Sequence, residues 1–169
     1  MKKFFIAVLV VLSVGVVDRA IAASFKVGGA MIPNGTIPGI TASFTIPVTG
    51  DGEDQYGLSP IFEYYKGSGL KLMFGGVEVV RTSQVTDDGS VGYYVKGGGG
   101  FSRMSYDFLV FTIDLNRALI KLDGGLTYKL NGGMQAFGEV GYIYTLGSGT
   151  TGAGVTRDLV MRAGIKFGN

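Results

Sequence analysis

Ala118-Leu-Ile-Lys-Leu-Asp-Gly-Gly-Leu-Thr-Tyr-Lys-Leu130 changes side-chain character at every step. Ala118, Ile120, Leu122, Gly124, Leu126, Tyr128 and Leu130 fall on one side; Leu119, Lys121, Asp123, Gly125, Thr127 and Lys129 fall on the other, with Leu119 the only apolar intruder. A repeat of two belongs to extended backbone, whose successive side chains point to opposite faces. Asn131-Gly132-Gly133 follows as a tight-hairpin signal. Alternation then resumes, with Met134, Ala136, Gly138, Val140, Tyr142 and Tyr144 opposite Gln135, Phe137, Glu139, Gly141 and Ile143. Such a hairpin has one apolar and one polar face.

The same pattern extends outward in both directions. Residues 41–49 set Ala42, Phe44, Ile46 and Val48 against Thr41, Ser43, Thr45, Pro47 and Thr49, and the last stretch sets Leu159, Met161, Ala163, Ile165 and Phe167 against Asp158, Val160, Arg162, Gly164, Lys166 and Gly168. Residues 24–31, 61–66 and 91–102 alternate more weakly. Residues 70–81 start on one parity (Leu70, Leu72, Phe74) and finish on the other (Val77, Val79), which predicts a bulge at Gly75-Gly76. These segments make eight strands, many of them near the roughly 9–11 residues of a tilted membrane-crossing strand. The expected fold is an all-β, antiparallel up-and-down transmembrane barrel over residues 23–169. Residues 102–117, with Phe108-Leu-Val-Phe111 apolar on both faces, read as a further strand, an extension of a neighbouring hairpin, or an apolar patch in a long loop. A further strand would raise the number towards ten. Residues 49–54 and 147–154 read as flexible loops.

Composition narrows the chemistry. The 169 residues include 30 Gly and no Cys, His or Trp, which excludes disulfide frames, zinc fingers and Ser-His-Asp or Cys nucleophile machinery. Paired glycines inside alternating segments suit a narrow barrel, whose bore would be overfilled by bulky inward side chains. Residues 1–22 read as a cleaved secretory signal: Lys2 and Lys3, then a mostly apolar run from Phe4 to Val17, then Ala20-Ile21-Ala22. The run is shorter than the roughly 20 residues of a spanning helix. Removing the leader takes away Lys2, Lys3, Arg19 and Asp18 and brings the formal charge from +2 to zero. A neutral chain without a basic face gives no footprint for nucleic acid. With no helix-length apolar stretch left, the mature chain enters a membrane only as a closed barrel of strands.

With leader, alternating strands and C-terminus in view, the chain resembles the small bacterial outer-membrane β-barrel proteins, the family that includes the membrane domain of outer-membrane protein A. Residues 120–144 carry the resemblance: a Gly-rich strand ending in Tyr128, a short turn, then a strand with Glu139 followed by Tyr142 and Tyr144. Arg162, Gly164 and Phe167 match the family's terminal-strand signal, which implies recognition by the barrel-assembly machinery during insertion; the chain departs from it by ending Gly168-Asn169. The resemblance implies location in the bacterial outer membrane after export and contact with its lipids and lipopolysaccharide. The implied role is non-enzymatic: structural or surface-interactive, through envelope integrity, adhesion or recognition by loops. It also implies that enzymatic barrels of this class use a His, which this chain lacks.

Lys26, Glu63, Lys96, Lys121, Asp123, Lys129, Glu139, Arg162 and Lys166 fall on polar faces, and Glu78 is left open by the expected bulge. Mixed signs within one bore favour mutual pairing, since an unpaired buried charge costs several kcal/mol. No catalytic, cofactor or metal-binding residues are expected. Tyr64, Tyr65, Tyr93, Tyr94, Tyr128, Tyr142 and Tyr144 read as interfacial girdle residues. Two other readings stay open: a soluble periplasmic, lipocalin-like barrel with its apolar faces turned inward on a small ligand, and a narrow pore.

Overall fold

A computed structural model describes residues 23–51, 54–67, 69–107, 112–146 and 157–168. Eight strands follow in order: β1 (Ser24–Ile32), β2 (Ile37–Asp51), β3 (Asp54–Gly67), β4 (Leu70–Gln84), β5 (Val91–Asp107), β6 (Thr112–Lys129), β7 (Met134–Leu146) and β8 (Arg157–Phe167). Each pairs antiparallel with the next, and β8 returns to β1 to close the barrel. The expected leader, residues 1–22, and the glycine-rich connection 147–154 lie outside the described residues.

Cross-strand partners followed from Asp158 through Ile143, Lys121, Gly98, Glu78 and Ser59, and on to Ser24, lead back to β8 beside Phe167. The path returns about ten residues further along the strand, a stagger that tilts the strands by about 40° and leaves a bore that side chains fill. One end carries Ser24 and Phe167; the other carries the β1–β2 and β3–β4 turns. We call them the terminus end and the loop end.

Two local expectations change, at Gly75-Gly76 and at residues 49–54, and for residues 102–117 one of the open readings is selected. The β3–β4 and β4–β5 ladders run through Gly75-Gly76 without a register shift, so the expected bulge is absent. Leu72, Phe74, Glu78 and Val80 are all buried on one inward parity; what switches midway along β4 is the chemistry of the interior. The break in register lies in β2, between Pro47 (paired with Gly57) and Thr49 (paired with Tyr56). Proline has no N–H for the ladder, and the extra residue Val48 absorbs the fault. Residues 49–54 are mostly strand, with β2 running to Asp51 and β3 starting at Asp54. Residues 102–107 and 112–117 continue β5 and β6 in register, Ser102 opposite Arg117 and Asp107 opposite Thr112. They extend a hairpin and add no strand; residues 108–111 lie outside the described set.

The interior is layered along the barrel axis. Near the loop end Ile32, Ile61, Tyr65, Leu72, Phe74, Met104, Leu119, Ile143 and Val160 form a buried apolar cluster. Leu119, the exception in the sequence pattern, belongs to it. Below this plug lies a layer of buried charges, and below that a polar and aromatic layer with Tyr94, Thr127 and Phe137.

Candidate functional site

The charged layer is assembled from six strands, because period-2 alternation turns one polar side chain after another into the bore. Arg162 on β8 is its hub. Its Nε donates to Glu63 Oε1 at 2.5 Å, one terminal nitrogen donates to Asp123 Oδ1 at 2.8 Å and Glu139 Oε1 at 2.7 Å, and the other reaches Glu63 Oε2 at 3.3 Å. Lys121 Nζ bridges Glu63 at 3.0 Å and Glu78 at 3.1 Å. Lys96 Nζ bridges Glu78 at 2.8 Å and Glu139 at 3.0 Å. Asp123 Oδ2 lies 3.7 Å from both lysines. Every carboxylate of this set faces at least two cations, as a dry site requires.

Two tyrosines complete the network. Tyr65 donates its hydroxyl to Glu63 Oε2 at 3.1 Å, and Tyr94 donates to Glu139 Oε2 at 2.9 Å. Neither belongs to a lipid-facing girdle: they are 0% and 2% exposed. The signal was present, since Tyr65 shares the parity of Glu63 and Tyr94 that of Lys96. Tyr93, Tyr128, Tyr142 and Tyr144 do face outward.

Inward glycines make room for this arrangement. A Cβ on Gly141 would land on the Asp123 carboxylate, and one on Gly125 would lie 2.5 Å from the Tyr94 hydroxyl. The outward glycines Gly29 and Gly138 meet nothing within 4 Å, so the packing account of the glycine excess holds for the inner face only.

Of the charges assigned to the interior, Lys26, Glu63, Lys96, Lys121, Asp123, Glu139, Arg162 and Lys166 are buried. Lys129 is a correction: it has the inward parity but is exposed, because it closes β6 at the terminus-end rim. Glu78, left open by the sequence, is fully buried within the network. Lys26 places its Nζ 3.4 Å above the Tyr94 ring and 5.4 Å from that of Phe137, a cation–π arrangement. Gly164 faces the β1 backbone, where a Cβ would strike the Val27 carbonyl, and Phe167 points outward. Arg162 and Gly164 of the expected terminal signal therefore have packing roles inside the barrel.

The outer wall is apolar over its whole circumference: Val27, Ile40, Phe62, Val79, Val95, Phe101, Leu122, Leu126, Val140 and Met161 are exposed on it. The inward apolar side chains of the described residues pack on one another in the loop-end cluster, where a lipocalin-like reading requires them to line a ligand cavity. Two voids of about 20 and 30 Å³ sit in the polar layer at the terminus end, room for about one or two waters each.

Outside the wall, the β4–β5 turn is tied together by its own hydroxyls. Thr86 Oγ1 accepts the Val91 N–H at 3.0 Å, and Asp88 Oδ1 accepts the Ser90 N–H at 3.0 Å. Hydrogen bonds from Thr86 and then Ser90 hold the Asp88 carboxyl down at about 2.

Comparison with solved structures places this geometry. The N-terminal β-barrel domain of Pseudomonas aeruginosa OprF superposes with a TM-score of 0.62 at 10% identity, over 86% of this chain and 95% of that one. The fold is that of the small outer-membrane barrels. A major outer membrane protein of Thermus thermophilus matches with a TM-score of 0.61 at 14% identity, over 86% and 99% of the two chains. The outer membrane enzyme PagL matches at 0.52 and 9%, over 88% and 100%. An enzyme is thus among the proteins that share this fold, and activity is argued from side chains. Comparison of the sequence with protein-family models and with curated proteins finds no match.

Proposed function

We propose that the protein is an integral barrel of the bacterial outer membrane, exported by residues 1–22, with a structural, non-enzymatic role in the envelope. The observation that supports this most is the inversion of the molecule. Large apolar side chains cover the outside while Glu63, Glu78, Lys96, Lys121, Asp123, Glu139 and Arg162 are spent on one another inside. A wall of this kind is unstable in water and stable in lipid. On this reading outer-membrane lipids and lipopolysaccharide are the outer wall's partners, and the barrel-assembly machinery reads β8 on insertion.

The filled bore supports a barrel without a conducting lumen. An ion path would have to cross both the apolar plug and the paired charges. Catalysis lacks support for a related reason: the buried carboxylates are bound to cations, and general acid–base work needs a carboxylate beside a bound substrate. Surface contact, where it occurs, falls to the long β5–β6 hairpin, whose residues 112–117 run past the last β7 residue paired with β6, Leu146.

Fractionation combined with electrophoresis tests the proposal. The expected result is recovery in carbonate-washed outer membranes, with a mobility shift between unheated and boiled samples. Recovery of folded protein from the soluble periplasm without detergent would overturn it. Single-channel steps in planar bilayers would overturn the closed-lumen part alone.

A further inference from the structure

Lys26 on β1 and Lys166 on β8 are direct cross-strand partners, and both point into the terminus-end layer. Like charges facing each other across a ladder are destabilising, and every other interior lysine of the charged layer is neutralised by carboxylates. Here the described residues place no carboxylate within ion-pair distance of either. Glu139 and Glu78, the acids that act electrostatically on Lys26, are already held, Glu139 by Arg162 and Lys96 and Glu78 by Lys96 and Lys121. Lys26 is 7% exposed and its ammonium rests on the Tyr94 ring, which attracts a cation but supplies no counter-charge.

The two voids of about 20 and 30 Å³ lie at this pair. Both are lined by Ser24, Thr45, Thr82 and Lys166, and the smaller also by Lys26 and Thr127. Each has room for about one or two waters, and only the smaller touches both lysines, so an anion there replaces ordered water at the mouth. Two lysines and a ring of hydroxyl donors, with no carboxylate among the described lining residues, form the complement of a tetrahedral oxyanion: a proton and its charge from the lysines, neutral hydrogen bonds from Ser and Thr. We propose that the terminus-end mouth of the barrel is a binding site for a phosphate-class oxyanion, held between Lys26 and Lys166. The ligand relieves the repulsion between the lysines, so binding and stability are linked.

The test uses the full mature chain folded in neutral detergent and titrated with inorganic phosphate by calorimetry, ionic strength being held constant with chloride. Saturable binding is expected, weakened at least tenfold in Lys166→Gln, retained in Lys166→Arg, and unchanged in Lys129→Gln on the exposed rim. Thermal unfolding of the same samples guards against a folding defect: phosphate raises the midpoint of the wild type and of Lys166→Arg but leaves that of Lys166→Gln in place. Repeating the titration in phosphatidylcholine and in phosphatidylglycerol vesicles distinguishes the sources. Undiminished phosphate binding in both assigns a free anion, whereas loss in phosphatidylglycerol assigns a lipid headgroup to the same lysines. Absence of saturable binding in detergent, or binding that Lys166→Gln leaves intact, overturns the site.

Discussion

Replacing Arg162 by Met removes one cation from three carboxylates at once, and the three are not left equally exposed. Glu63 keeps Lys121 at 3.0 Å and the Tyr65 hydroxyl at 3.1 Å; Glu139 keeps Lys96 at 3.0 Å and the Tyr94 hydroxyl at 2.9 Å. Asp123 keeps only two lysines at 3.7 Å. Removing one partner of a buried ion pair costs about 3–5 kcal/mol, and the stranded aspartate puts Arg162→Met at the upper end of that range. Adding Asp123→Asn removes the worst of the uncompensated charge and restores roughly 2 kcal/mol, about half of the loss. The double variant is therefore more stable than the single one. Urea titration of protein folded into phospholipid vesicles, followed by gel mobility of unheated samples and by far-ultraviolet circular dichroism, reads both numbers. A loss below about 1 kcal/mol for Arg162→Met, or a double variant less stable than the single, refutes the hub.

Three further outcomes follow from other parts of the molecule. Gly141→Ala drives a Cβ into the Asp123 carboxylate and is expected to cost about 1–3 kcal/mol, as overpacking does; Gly138→Ala, with open space around it, stays within about 0.5 kcal/mol of wild type in the same urea assay. Leu122→Arg puts a charge on the exposed outer wall and is expected to cost about 2–4 kcal/mol in vesicles, a penalty that disappears if that face meets water. Asp88 titrates lower in the fold than in the open chain, so its contribution is present above the unfolded value of about 3.9 and fades as pH falls towards about 2. The difference in urea midpoint between wild type and Asp88→Asn should be full above pH ~5, shrink as pH falls through about 2 and vanish near pH ~1; a difference independent of pH rules out the turn's effect on Asp88.

The barrel was legible in the sequence because two-residue alternation reports directly on which face is buried. Its limits lay where the interior is not uniformly polar. Leu72 and Phe74 share an inward parity with Glu78, and a reading that equates inward with polar turns that continuity into a bulge at Gly75-Gly76. The same equation sent Tyr65 and Tyr94 to the lipid face, although each shares the parity of an inward charge two residues away on its own strand and donates its hydroxyl to a buried glutamate. Lys129 erred the other way: parity fixes a face but not a depth, and at the end of a strand that face is already in solvent. Partnerships within the bore were beyond the sequence, because contacts such as that of Arg162 with Glu63 depend on the stagger between strands that are distant in the chain.

Lipid contact belongs to the apolar band of the outer wall, between the exposed ion pairs Arg81–Asp54 and Arg103–Asp114, and period-2 accessibility along one strand is its direct test. The chain has no Cys, so single cysteines at consecutive positions 119–126 of β6, spin-labelled in vesicle-reconstituted protein, report without background. Alternation is expected: labels at 120, 122, 124 and 126 are reached by oxygen and shielded from a water-soluble nickel relaxant, while those at 119, 121, 123 and 125 are immobilised and shielded from both. Equal access of the nickel relaxant to labels at 120, 122, 124 and 126 and to a label at the Asp88 turn would contradict it.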